Sequence, residues 1–369
     1  MAMLSELVEV VIGVDTHLDT HTAAVLEVAG GRVRETVTVP ADPGGYTQLC
    51  ELAQRHGGLR AWAIEGSGGY GSALTRHLHG AREEVVIELD RPQRPARRGG
   101  RKSDAIDAER AARDALARTQ LAQPKTGAER GALQALLTAR RSAITAATDA
   151  QRQLRALITT APEAVAARFR GHKGGAALVR IAAGLDPTRT DGAADGAADG
   201  DVETRTCLQV LHTVAGRIQS LRNEADTHER VIRAVIAAWR PDLLELPGVG
   251  PINAAVVLTA WSHPGRCRDD GAFAMLGGVA PIPASSGRTV RYRLNRHGDR
   301  QLNRALHNIA VCRQRYDHTT RAYTERRRAE GKTDREIRRC LKRYIARQLH
   351  RQLETPPTRP NTPLTIDSP

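Results

Sequence analysis

Four acids and one serine-bearing loop have the residue types and spacing for chemistry on a phosphodiester. Asp15 ends the apolar run "VVIGVD", Glu65 ends "RAWAIE", and Asp104 and Asp107 stand three apart in "KSDAIDAER". A carboxylate at the inner end of an apolar strand is costly unless something pairs with it. A spacing of three puts Asp104 and Asp107 on one face of a helix. Acids gathered in this way repel one another unless a divalent cation holds them. Mg²⁺ takes hard oxygen ligands and keeps positions open for phosphate oxygens, and paired ions clamp the attacking and leaving oxygens of a phosphodiester. Each acid alone also has a plain structural reading: Asp15 as a turn residue, Asp104 at a helix start behind a Ser103 cap. His17 and His21 flank Asp15 and read as exposed turn residues rather than transition-metal ligands.

The second constellation is "PASSGRTVRYRLNRHGDRQLNRAL". Ser285 and Ser286 precede Gly287 on a loop bounded by proline and glycine. Arg288, Arg291, Arg293, Arg296, Arg300 and Arg304 follow. A serine hydroxyl is a weak nucleophile that needs activation, and guanidinium groups orient a phosphate and stabilise charge on it. By itself the segment reads better as a turn beside a solvated basic face. A third feature, "LPGVGPINAAVVL", takes a tight turn at Gly248 and Gly250 into a helix. Its pattern is that of a helix-hairpin-helix, which grips the nucleic-acid backbone through helix-terminal amides.

These residues need elements to position them. "EVVIGVD", "TAAVLEV" and "VRETVTV" read as three successive strands. A helix over "DPGGYTQLCELAQRHGG" follows, with Asp42 as cap and Pro43 at its first position. "RAWAIEG" is strand four, "YGSALTRHLHG" a helix, "EEVVIELD" strand five. The basic loop "RPQRPARRGGRK", with Arg97, Arg98, Arg101 and Lys102 as nucleic-acid contacts, leads to a helix from Ser103. Three antiparallel strands followed by strands reached through helical crossovers predict an α/β RNase H-like fold with strands one and four adjacent. The same core serves actin-like sugar kinases, but these place glycine just after the first aspartate, where this chain has "DTHLD".

From residue 123 to 240 the chain is rich in Ala, Leu and Arg at helical spacing. Two long helices there predict an antiparallel hairpin or a dimerising coiled coil. The low-complexity "DGAA" repeat near 186–203 cannot build a core and reads as a disordered insert. The expected organisation is a catalytic α/β domain over 1–122, the helical region over 123–240, a mainly helical C-terminal domain over 241–353 and a disordered tail over 354–369.

The chain of 369 residues carries 55 Lys and Arg against 41 Asp and Glu, a net charge of +14, which favours a polyanionic partner. Aromatics make up only 3%, so base-stacking platforms are poorly supported. Five scattered cysteines lack a C-x-x-C pair and argue against a zinc finger or a disulfide framework. No apolar run approaches the roughly 20 residues that span a bilayer, and the N-terminus carries acids rather than a basic leader. A cytoplasmic location with no membrane partner is expected.

Taken in order, these motifs resemble the DEDD transposases of bacterial insertion sequences, the bridge-RNA-guided serine recombinases. "IGVDTHLDTH", "AIEGSGGYG" and "RKSDAIDAERAAR" are similar to that family's RuvC-like acidic tetrad. "LLELPGVGPINAAVVL", "GGVAPIPASSGR" and "LNRHGDRQLNRAL" are similar to its C-terminal transposase domain. The resemblance runs from about Val10 to Arg315. It implies that Asp15, Glu65, Asp104 and Asp107 bind Mg²⁺. It implies that Ser286, with Ser285 as the alternative, forms a covalent phosphoserine link to DNA. It further implies a homodimer or homotetramer in which one subunit's tetrad is completed by another's serine, and a structured guide RNA that pairs with donor and target DNA. Two departures stand out: the "DGAADGAADG" insert, and Arg296 where the family often carries lysine, a different kind of phosphate ligand. The competing reading is a RuvC-type nuclease or junction resolvase with no covalent intermediate. A non-catalytic nucleic-acid-binding protein would not need four acids in a basic chain.

Overall fold

A computed structural model of the chain describes residues 3–82, 84–89, 103–186, 202–285, 288–289 and 291–357. They fall into two units, Met1–Gly127 and Ala128–Pro369.

The first unit opens with one helical turn, α1 (Leu4–Leu7), and continues as β1 (Val10–Thr16), β2 (Thr20–Glu27), β3 (Val33–Pro40), α2 (Pro43–Arg55), β4 (Arg60–Glu65), α3 (Ser72–Arg82), β5 (Val86–Leu89) and α4 (Asp104–Ala117). The five strands lie in the order β3-β2-β1-β4-β5. The first three pair antiparallel, and β4 joins β1 and β5 in parallel. This mixed sheet with helices is compatible with the RNase H-like expectation. Capping fixes where helices begin: Asp42 accepts from the Gly45 amide at 2.8 Å with Pro43 in the first turn, and Ser103 accepts from the Ile106 amide at 3.3 Å.

Side chains alternate between sheet faces with period two. Val10, Ile12 and Val14 of β1 join Trp62 and Ile64 of β4 in a core with Leu49, Leu52, Leu74 and Leu78 of α2 and α3. Val11 of β1 and Ala61 and Ala63 of β4 face the other way, onto Ala111, Ala112 and Ala115 of α4. Gly13 lies in that second line. A Cβ there would run into the Ala108 carbonyl and stand 2.6 Å from the Ala112 amide. The missing side chain, opposite a helix face built of alanines, is what lets α4 lie directly on β1.

The second unit is helical. Its helices are α5 (Ala128–Thr160), α6 (Glu163–Ala166), α7 (Gly175–Ala183), α8 (Val202–Trp239), α9 (Pro251–Trp261), α10 (Asp270–Leu276), α11 (Arg300–Tyr316), α12 (His318–Ala329) and α13 (Asp334–Glu354). A two-residue pair, β6 (Ile282–Pro283) with β7 (Tyr292–Arg293), interrupts them. Leu133 and Leu137 of α5 share a core with Ile232, Val235 and Ile236 of α8. Ala150 and Leu154 share another with Leu208, Leu211 and Ala215. The two long helices therefore run antiparallel within the chain, and Arg140 pairs with Glu229 between them at 2.8 Å. Helix α8 begins at Val202, so the last two positions of the expected insert are helical; 187–201 lie outside the described residues.

At the far end of α8, Arg240 is 3% exposed. Its guanidinium grips Asp242 at 2.7 and 2.8 Å and donates to the Leu353 and Gln352 carbonyls at 2.9 and 2.7 Å. One arginine thus binds two carbonyls of the last turn of α13 and ties that helix to the end of α8. Burial pushes the Asp242 carboxyl up, but hydrogen bonds from Arg240 and Gln352 outweigh it and hold the group below the usual carboxylate range.

Candidate active site

Two positions past Gly13 on the same face of β1 comes Asp15. Two past Ala63 on the matching face of β4 comes Glu65. Parallel pairing runs up to Val14 with Ile64, and Asp15 and Glu65 are the next residues along. Both acids therefore stand at the carboxyl ends of adjacent central strands, on the side that α4 covers. The Thr16 hydroxyl donates to the Glu65 carbonyl at 2.9 Å and ties the two strand ends together. Gly66, with φ of +74°, turns the chain away immediately after Glu65.

The same packing brings the start of α4 to this place. Asp104 and Asp107 occupy its first turn, where the helix dipole favours acids even without a ligand. Asp15 has a side chain only 15% exposed. Its carboxyl is raised above the ordinary value by burial first; His17 opposes the shift, and Asp104 and Asp107 add to it. Asp107 is itself engaged by Arg110 at 2.7 Å. A half-buried carboxylate raised in this way by its acidic neighbours gains from a bound cation. Asp15, His17 and Asp104 each offer a ligand atom within 4.8 Å of the others, a donor set that suits a divalent ion. Asp107 and Glu65 stand beside that set rather than in it.

Of the two histidines, only His21 departs outright from the exposed-turn reading; His17 is a half-exposed turn residue that lies against two of the acids. His17 Nε2 lies 3.2 Å from Asp15 Oδ2 and 3.5 Å from Asp104 Oδ1. The His17 amide donates to the Thr20 carbonyl at 3.0 Å and closes the tight β1–β2 turn. His21 belongs to β2, is fully buried, and stacks on Tyr46 at 5.8 Å between ring centroids. It shares its sheet face with Ala23 and Val25, which pack toward α2 and α3, so it faces away from Asp15. Strand alternation gives no signal for His17, because β1 ends at Thr16.

In the second unit, the serine loop joins β6 to β7. Ala284 donates to the Arg291 carbonyl at 2.8 Å, and the Arg291 amide donates to the Ser285 hydroxyl at 3.2 Å. Ser285 is thus a clasp across the hairpin. Ser286 lies outside the described residues, as do Arg97, Arg98, Arg101 and Lys102 of the basic loop. A glycine frame holds the hairpin's base. Gly298, at φ +110°, sits so close to Gly278 that a Cβ would lie 2.8 Å from the Gly278 amide. Asn303 donates to the Gly277 carbonyl at 2.7 Å, and Lys342 donates to Asn303 at 2.7 Å. Arg288, Arg291, Arg293, Arg296, Arg300 and Arg304 are all exposed, and none is salt-bridged to a described carboxylate. Gly248 adopts φ +75° and a Cβ there would meet the Ile309 carbonyl of α11 at 3.1 Å, so left-handed backbone and close packing together favour glycine here. Gly250 caps α9 with open space around it.

Residues 12–161 match a family model of the DEDD type for IS110 elements, described as a transposase, and residues 241–325 match the model described as the IS116/IS110/IS902 transposase family. The chain belongs to the IS110/IS116/IS902 family of transposases. It is 32% identical to the insertion element IS110 uncharacterized 43.6 kDa protein of Streptomyces coelicolor over 133 residues, 35% of this chain and 33% of that protein. It is 28% identical to the insertion element IS900 uncharacterized 42 kDa protein of Mycobacterium paratuberculosis over 318 residues, covering 75% of this chain and 78% of that one. The first family match contains all four acids, and the second contains the serine loop and the arginines that follow it. No helix among the described residues is long and apolar enough to cross a membrane.

Proposed function

We propose that this IS110-family chain is the transposase of an insertion sequence. It cuts and rejoins DNA through an acidic tetrad, Asp15, Glu65, Asp104 and Asp107, and through Ser286 as nucleophile. The observation that carries this reading is the convergence of β1, β4 and the first turn of α4 on one acid-lined place in a chain with an excess of basic residues. Mg²⁺ held there supplies Lewis-acid stabilisation of charge on the phosphodiester. Ser286 Oγ attacks phosphorus and gives up its proton. The bond from phosphorus to one DNA oxygen breaks, and that strand end leaves as a free hydroxyl. A hydroxyl of the second DNA then attacks the phosphoserine, the phosphorus–Oγ bond breaks, and the serine is regenerated. The hydrogen bond that occupies Ser285 supports the choice of Ser286 over Ser285 as the nucleophile. The exposed arginines from Arg288 to Arg304 hold the phosphate backbone. Sequence choice is delegated to a structured guide RNA, in keeping with contacts suited to backbone rather than bases, and the working unit is a homodimer or homotetramer.

The test is a covalent-trapping assay. The protein is incubated with Mg²⁺, the RNA encoded beside its gene, and labelled donor and target DNA, then denatured. A labelled protein band present in wild type and absent in Ser286→Ala is expected. Cut DNA with no adduct under trapping conditions would instead establish the metal-dependent nuclease.

A further inference from the structure

His17 stands at the acidic site in a position that a purely electrostatic account leaves unused. Its Nε2 is 3.2 Å from Asp15 and 3.5 Å from Asp104, and the three donor atoms fall within 4.8 Å of one another. Metal–ligand bonds of about 2.1 Å in an octahedral site put neighbouring donors roughly 3 Å apart. The main chain that carries the ring is fixed. The His17 amide is pinned to the Thr20 carbonyl at 3.0 Å, one residue beyond the β1–β2 pair Thr16 with His21. The side chain is also 45% exposed, so an ion with its remaining waters can reach the nitrogen from solvent.

We infer that His17 is a nitrogen ligand of the divalent-cation site and sets its metal preference, shifting it from Mg²⁺ toward Mn²⁺. This rests on the metal-dependent reading above and adds to it a residue outside the acidic tetrad. Carboxylates alone suit Mg²⁺, Ca²⁺ and Mn²⁺ alike, whereas imidazole is a poor partner for the two hard ions and a better one along the series that rises from Mn²⁺. A mixed set of two carboxylates and one imidazole therefore discriminates where four acids would not. His17 is a specificity-determining residue in this sense; nothing in the inference asks it to move a proton.

The experiment uses the untagged full-length protein loaded with Mn²⁺ alone, read by electron spin echo envelope modulation and by titration calorimetry. Wild type is expected to show nitrogen modulation from one directly bound imidazole. His17→Gln, which offers an amide oxygen in its place, is expected to lose that modulation. Outer-shell partners of a metal site already matter by 10–100-fold, so Mn²⁺ affinity should fall by roughly tenfold or more, with Mg²⁺ affinity changing much less. An unchanged melting temperature shows that the variant is folded. Mn²⁺ that is displaced by Asp15→Asn but shows no imidazole coupling in wild type, or keeps the coupling in His17→Gln, would overturn the role of His17 and leave the acidic site standing. Mn²⁺ binding that is absent or indifferent to Asp15→Asn would overturn the metal site itself, and His17 with it.

Discussion

The acidic site and the serine hairpin are built in opposite ways. The acids stand on regular elements: two central strands fix Asp15 and Glu65, and α4 is held on the sheet by Gly13 and a face of alanines. The hairpin has strands of two residues, exposes Tyr292 by 65% and Leu294 by 53%, and is held mainly at its base by backbone contacts among glycines. The first region has its cost built in, since like charges gather in a half-buried place. The second pays little for its charges, because its arginines stay in water. A site that must hold a cation needs rigidity before the ligand arrives. A surface that tracks a phosphate backbone needs accessible charge more than a fixed frame.

The largest effect that would test this contrast is on chemistry. Asp15→Asn should lower recombination by at least about 10²–10³-fold, while nucleic-acid binding measured by gel shift is retained. The same substitution should leave the metal-free fold at least as stable at neutral pH. Burial raises the Asp15 carboxyl above its unfolded value, so the folded chain binds the proton more tightly, and stability falls as pH rises through that window. A variant that loses stability along with activity would mean that Asp15 is structural. Next comes Asp242→Ala, which leaves the Arg240 guanidinium buried without its carboxylate. Breaking one side of such a pair costs about 3–5 kcal/mol, read as a lower urea midpoint for the second unit. Because the Asp242 carboxyl is held below the usual range, its contribution is present above the ordinary carboxylate value and is lost as pH falls through the depressed one. Gly13→Ala follows. Its Cβ meets backbone atoms of α4 that cannot turn aside, so a cost toward the upper end of overpacking, roughly 3 kcal/mol, is expected. Mn²⁺ affinity should fall with it if α4's seat on β1 is what presents Asp104.

Much of the first unit was legible in the sequence because its signals are local. Alternation marks β3, Asp42 and Ser103 mark helix starts, helical crossovers mark β4 and β5 as parallel, and the RNase H-like strand order places β4 beside β1. What failed was what depends on a neighbour. Gly13 gains its role only when a helix is laid on it. His21 reads as a turn residue because β2 begins two residues earlier than its apolar run, and a polar ring adds nothing to alternation. His17 becomes part of the site only when the first turn of α4 arrives beside it. The basic count does not separate two kinds of arginine. Arg240 and Arg313 look like two more surface cations, yet Arg240 is sealed against Asp242. Arg313 donates to the Pro247 carbonyl at 2.7 Å and to Gln348 at 2.8 Å, with burial holding its guanidinium below its usual value.

That distinction gives the smallest prediction. Arg291, Arg293 and Arg296 are exposed and carry no described carboxylate partner. Each phosphate contact releases a counterion, so losing one should reduce the slope of log binding constant against log salt by about 0.7 to 0.9. Arg293→Ala should therefore weaken binding to unrelated DNA sequences alike, flatten the salt dependence by about one contact, and leave the melting temperature within experimental error. Arg313→Ala should do the reverse: the salt slope stays, and the melting temperature drops, because what is lost is the tie between α11 and the Gly248 turn. If instead both variants shifted the slope equally, the division between arginines that bind phosphate and arginines that hold the fold would fail. If Arg293→Ala altered binding at one sequence only, the hairpin would be reading bases, and sequence choice could no longer be assigned wholly to a guide RNA.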